Sequence, residues 1–175
     1  MEWLPFDLHP EYPPGGIPRA DLIRRYGDGF HRQVEAAFER VGLVYNPPPD
    51  VVPNSHAALR LTELARAQGK HAVTHDRLMQ AYWEEAQDIG DLDVLHALAE
   101  ELGLEDAADA IDGRLYADAV ATATAQAHTA GINAIPAFVL DRRLLVLGAQ
   151  PEDVFVQAFT QLDTATAREE GGATT

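Results

Sequence analysis

Gly131-Ile132-Asn133-Ala134-Ile135-Pro136-Ala137-Phe138-Val139-Leu140 is the stretch on which the fold turns. An alanine-rich helical pattern from Arg114 to Ala130 precedes it, with Leu115, Ala119, Val120, Ala123 and Ala127 on the inward side, and Gly131 ends that helix. Pro136 then stands directly before an apolar run. Proline cannot donate to a sheet ladder, so it belongs at the first position of a strand. The local sequence leaves the Ile135–Pro136 peptide open between trans and cis, since only about 5–6% of X–Pro bonds are cis. Ala137–Leu140 and Leu144–Leu147, joined by Asp141-Arg142-Arg143, read as a β-hairpin. Gly148-Ala149-Gln150 leads into a final helix with Pro151 in its first turn and Val154, Phe155, Ala158, Phe159 and Leu162 as the expected buried face.

Working back toward the start, the chain is mostly helical. Met1–Leu8, with Trp3, Leu4, Phe6 and Leu8, reads as a strand ending at His9-Pro10, and Glu11–Pro18 as a loop. Leu22, Ile23, Tyr26, Phe30, Val34, Phe38 and Val41 recur at helical steps, interrupted at Gly27 and Gly29 and closed at Gly42. A proline-rich connection over Tyr45–Pro53, with Asn46-Pro47-Pro48-Pro49 in it, follows. Asn54-Ser55 then caps a helix with Ala58, Leu61, Leu64 and Ala65 on one face. Further helices are expected over about 71–87 (Val73, Leu78, Met79, Tyr82), from Asp91 or Asp93 to Leu102, and over Asp106–Asp112. The tail from residue 164 is expected to be disordered.

With 175 residues the chain fits one domain and needs neither disulfides nor a structural metal to fold. Lys plus Arg is 13 and Asp plus Glu is 28, a formal charge of −15. Such a field repels phosphate backbones and anionic membrane surfaces, so neither nucleic acid nor membrane is an expected partner. No apolar run reaches the eighteen residues of a membrane span, and a cytoplasmic location is the expectation. There is no cysteine at all.

Several motifs together resemble one family. Gly-Ile-x-x-Ile-Pro-x-Phe from Gly131, followed by a hairpin and Gly148-Ala149-Gln150, is similar to the C-terminal half of DsbA-like thioredoxin-fold proteins, most of all the FrnE-like dithiol–disulfide oxidoreductase/isomerase subgroup. Trp3-x-Pro5-Phe6-x-Leu8-x-Pro10 resembles that subgroup's second strand. Val52-Pro53-Asn54-Ser55, Leu61…Ala65…Gly69, Leu78-Met79-x-Ala81-Tyr82-Trp83 and Asp88-Ile89-Gly90-Asp91 resemble its helical insertion. The resemblance runs over about residues 1–162. It implies an α/β class: an incomplete thioredoxin-like (DsbA-like) core formed by residues 1–18 and 113–163, a large all-helical insertion over 19–112, and a tail over 164–175.

The resemblance also implies what is missing. Family members carry a first strand and a Cys-x-x-Cys at a helix N-terminus, whose thiolate is the nucleophile. Here both are absent, and the expectation is a chain beginning at an internal start rather than a natural remnant. No catalytic residue, metal ligand or cofactor is therefore assigned. The family uses a cis-proline, which maps to Pro136, and pairs the adjacent backbone with an extended peptide or glutathione-like thiol. Ala134, Ile135 and Pro136 match that place, and Gly148, Ala149 and Gln150 match where kappa-class glutathione transferases hold part of glutathione. Trp3 and Phe6, with Tyr82 and Trp83, are candidates for an adjoining aromatic groove. Because the family's first strand lies between the second strand and the one starting near Ala137, its absence implies either an intertwined homodimer or direct pairing of residues 2–8 with 137–140.

Other constellations have plainer explanations. His71 and His75 are spaced i, i+4 but lack further zinc ligands. Asp88, Asp91 and Asp93 miss the spacing of a calcium loop and suit helix capping. No Ser-His-Asp set, phosphate loop or nucleotide fingerprint is present.

Overall fold

The computed structural model describes residues 1–27, 29–46 and 50–172, without the side chains of Phe30, His31 and residues 166–172. The Pro47-Pro48-Pro49 connection and residues 173–175 lie outside the described residues. The chain divides into two compact units, Met1–Thr124 and Ala125–Thr175.

In the first unit a two-residue ladder pairs β1 (Ile17–Pro18) with β2 (Val51–Val52), antiparallel, with Ile17 opposite Val52. Both segments read as proline-rich loop from sequence. Gly16 allows the approach: its φ is +69°, and a Cβ there would lie 2.5 Å from the Val52 carbonyl oxygen. Between these strands lie α1 (Arg19–Tyr26) and α2 (Gly29–Val41), broken at Gly27 as the glycine pair suggests. Phe38 on α2 packs on Tyr45 and Trp83.

The core of this unit is built by α3 (His56–Ala67), α4 (His71–Trp83), α5 (Leu92–Glu101) and α6 (Ala107–Ile111). Leu61, Leu78, Leu95 and Ile111 are its largest fully buried apolar side chains. Helix α3 packs against α4, α5 and α6, and α5 against α6, through the three- and four-residue apolar spacing visible in the sequence. Polar side chains finish the ends. The Asn54 Oδ1 accepts from the His56 amide at 2.9 Å, and the Asp91 side chain accepts from the Asp93 amide at 2.8 Å. Arg60 donates to the carbonyls of Ala110 and Ile111, and Lys70 to those of Leu102 and Gly103, satisfying the open C-termini of α6 and α5. α4 stops at Trp83 rather than near residue 87. Ala86 takes a left-handed φ of 56°, and the Gln87 amide turns back to the Ala81 carbonyl.

Residues 1–8 form no strand, which corrects the sequence expectation and removes the expected ladder between 2–8 and 137–140. The segment is held by side chains instead. Pro5 has no N–H to give a ladder. The Asp7 amide donates to Thr124 Oγ1 at 3.0 Å, Arg66 donates to the Trp3 carbonyl, and the buried Asp7 carboxylate lies 2.7 Å from His56 Nε2, angled as an ion pair rather than a straight hydrogen bond. His56 and Arg66 are ten residues apart on α3, a rise of about 15 Å, so the segment runs antiparallel along that helix.

Helix α7 (Ala117–Thr129) carries the boundary between the units. In the second unit, β3 (Ala137–Leu140) and β4 (Leu144–Leu147) form the expected hairpin, with Phe138 opposite Val146 and Leu140 opposite Leu144. Asp141 and Arg142 both take positive φ to turn it. The last helix, α8, spans Glu152–Gly172, so helix continues past residue 164, where a disordered tail was expected. Phe155 meets Phe138 edge-on at 5.0 Å, and Ile132, Val146 and Ala158 are buried. Phe159, expected inside, is 53% exposed.

Candidate functional site

Gly131 ends the α7 turn with a φ of 81°, and the chain reverses toward β3 through Asn133 and Ala134. The Ile135–Pro136 peptide is cis. The Pro136 carbonyl accepts from the Gly148 amide at 2.7 Å, which closes the inner end of the hairpin. Two of the sequence-derived places, 134–136 and 148–150, therefore adjoin. At the other end the Leu140 carbonyl accepts from the Arg143 amide.

These two bonds set the polarity of the strand. In an antiparallel pair the N–H and C=O of one residue point to the same side, and the side alternates along the chain. Pro136, Phe138 and Leu140 therefore address β4, while Ala137 and Val139 address the opposite edge. Among the described residues no strand pairs with that edge. Ile135 and Val139 are 55% and 54% exposed, so apolar side chains flank open backbone donors and acceptors.

Gly148-Ala149-Gln150 is less open. Gln150 Nε2 donates to the Leu147 carbonyl at 2.7 Å and the Gln150 amide to the Gly148 carbonyl. The first turn of α8 carries Glu152 and Asp153. Both carboxylates already sit where the helix N-terminus would attract an anion.

Trp3 and Phe6 belong to the first unit. Trp3 stacks on His75 at 5.1 Å, and His75 on His71 at 6.1 Å. Burial first, with Arg66 and His75 adding, holds the His71 imidazole below the ordinary histidine value. Tyr82 packs edge-on against Trp83 at 4.6 Å, and Trp83 packs on Phe38 and Tyr45. His75 and Trp83 are eight residues apart on α4, about 12 Å. The aromatic residues thus form two separate groups, at opposite ends of one helix. Sequence reasoning missed the partners of Trp3, because Arg66 and His75 are distant along the chain. Among the described residues no three His, Asp or Glu side chains converge as metal ligands, and no helix is long and apolar enough to cross a membrane. Asp88 accepts from the Gly90 amide at 2.8 Å, a turn contact.

Comparison with known proteins agrees with this architecture. The family model of the DSBA-like thioredoxin domain matches residues 1–160. An uncharacterised protein of Bacillus subtilis is 32% identical over 165 residues, spanning 91% of this chain and 80% of that one. A crystal structure of a probable DsbA oxidoreductase from Streptomyces coelicolor superposes with a TM-score of 0.79 at 26% identity, covering 89% of this chain and 72% of that one. The helix-rich chain with its Pro136 corner and short hairpin therefore belongs to the DSBA-like thioredoxin domain family.

Proposed function

We propose that this chain works by holding an extended polypeptide against the open edge of β3, within a family whose characteristic activity is protein disulfide oxidoreduction or isomerisation. Thiol–disulfide exchange requires an attacking thiolate. These 175 residues hold no cysteine, so the chain by itself exchanges no disulfide. The observation that carries the binding role is the strand edge: Ala137 and Val139 present outward N–H and C=O groups beside the exposed side chains of Ile135 and Val139. An extended peptide adds to such an edge through main-chain hydrogen bonds, with side-chain contacts setting preference. The subgroup resemblance is FrnE-like.

Insulin reduction by dithiothreitol tests the first half: the expected rate equals background, and acceleration contradicts it. Calorimetry with an unstructured apolar peptide tests the second. Binding is expected for the parent and lost in Val139→Pro, which deletes an outward N–H yet spares the inner bonds of Phe138 and Leu140. Equal binding by this variant, with circular dichroism unchanged, contradicts the edge as the site.

A second reading is a glutathione-dependent transferase or isomerase. The adjacency of Gly148 to Pro136 favours it. The carboxylates of Glu152 and Asp153 oppose it, because glutathione brings two carboxylates of its own. Glutathione binding in the same calorimetric experiment, without peptide binding, is the outcome that selects this reading.

A further inference from the structure

The β3–β4 hairpin is apolar on both faces. Successive side chains of a strand point to opposite sides, and residues directly opposite each other in an antiparallel ladder share a side. Phe138 meets Phe155 of α8, so Phe138 and its partner Val146 belong to the face that α8 covers, and Val146 is buried. Ala137 with Leu147, and Val139 with Leu145, make up the other face. Val139 is 54% and Leu147 37% exposed there, and none of the four is polar. A sheet face turned to water is ordinarily polar. The covered face is itself incomplete. α8 packs on β4 and reaches β3 at Phe155. Phe159, one turn further on the same side of the helix, is 53% exposed. The inward side of α8 therefore extends beyond what two strands cover.

We infer that the polypeptide taken up at the β3 edge is an uncharged run, apolar on both of its own faces and bracketed by basic residues. This rests on the reading of that edge as the binding site. A strand added beside β3 sets alternate side chains toward Val139 on one face and toward the α8 side, with Phe159, on the other. An amphipathic strand satisfies one face and puts polar groups against the second. A strand buried on both faces is a near-continuous apolar run. Charge selects the same occupant. Residues 131–140, 144–151 and 154–162 contain no Asp, Glu, Lys, Arg or His, and the charges between them sit at the turn, Asp141-Arg142-Arg143, and in the first turn of α8, Glu152-Asp153. The chain around this uncharged strip carries −15, which attracts basic flanks and repels acidic ones. A second copy of the chain brings an apolar β3 of its own together with another −15, so a foreign segment is the better match.

Calorimetry with three peptides of equal length tests it. The first is a valine–isoleucine run between lysine pairs. The second has threonine, of similar strand preference, in place of each isoleucine. The third has glutamate in place of each lysine. The first is expected to bind about tenfold more tightly than either of the others, and its advantage over the third to fade as salt is raised. Phe159→Gln and Val139→Thr, one from each face, are each expected to weaken the first peptide about fivefold, with circular dichroism unchanged. Equal binding of the first and second peptides, or undiminished binding by either variant, overturns the two-faced run and leaves the edge standing. Equal binding of the first and third overturns the basic flanks. Absence of binding by all three overturns the edge as well. Sedimentation equilibrium of the chain alone is expected to give the single-chain mass of 19.1 kDa. Twice that mass, reversed by Val139→Pro, assigns the edge to a second copy and overturns the proposal.

Discussion

Thr74 and Asn54 show how differently two buried polar side chains weigh on this fold. Thr74 is fully buried on α4 and its Oγ1 has no hydrogen-bond partner among the described residues. A buried unsatisfied hydroxyl costs about 1–3 kcal/mol, whereas an apolar group of the same shape removes the cost. Thr74→Val is therefore expected to raise stability by about 1 kcal/mol in urea unfolding. Asn54 is fully engaged: its Nδ2 donates to the Tyr12 carbonyl at 2.7 Å and its Oδ1 accepts from the His56 amide. Asn54→Ala is expected to cost about 1–2 kcal/mol in the same measurement. His71 adds a pH dependence. Its folded-state value is depressed, so the folded protein disfavours its protonation. The stability it contributes is present above the unperturbed histidine value of about 6.5 and is lost as pH falls below it. Urea midpoints are expected to decline through that window, and His71→Gln to lessen the decline; an unchanged slope in the variant contradicts the assignment. At this scale the capping roles of Asn54 and Asp91 were legible, because a cap and its helix are neighbours in sequence. The Asp7–His56 pair and the Arg66 contact to Trp3 were not, because no local pattern links residues dozens of positions apart.

Among the elements, the hairpin was legible to the residue. Its apolar runs, its turn and the proline before it all lie within twelve positions, and local chemistry decides them. Met1–Leu8 failed for the complementary reason. Its composition suits a strand, but a strand exists only where a partner ladder does, and here side chains on α3 and α7 take the backbone groups instead. β1 and β2 were missed in reverse: prolines hide a two-residue ladder whose halves are over thirty residues apart. Phe159 marks a limit of periodicity. It lies one turn beyond Phe155 and so on the inward side of α8, yet it is 53% exposed, because periodicity gives the side of a helix and not how far along it the packing partner reaches.

For the molecule as a whole, family and helix-rich thioredoxin architecture were readable from motif order, and the comparisons agree. The split of the chain within α7 was not, because nothing in an uninterrupted alanine-rich helix marks a boundary. The candidate site was half legible. Residues 134–136 and 148–150 do adjoin, while Trp3 and Tyr82-Trp83 form separate groups. The proposed peptide-binding role rests on two features together: no cysteine in these 175 residues, and an outer edge of β3 with which no strand pairs among the described residues. Amide chemical shifts recorded while an unstructured apolar peptide is added test that account most directly. It predicts saturable shifts at Ala134, Ile135 and Ala137–Leu140, with the α3–α6 core unmoved. Shifts confined to other residues, or none at saturating peptide, contradict it.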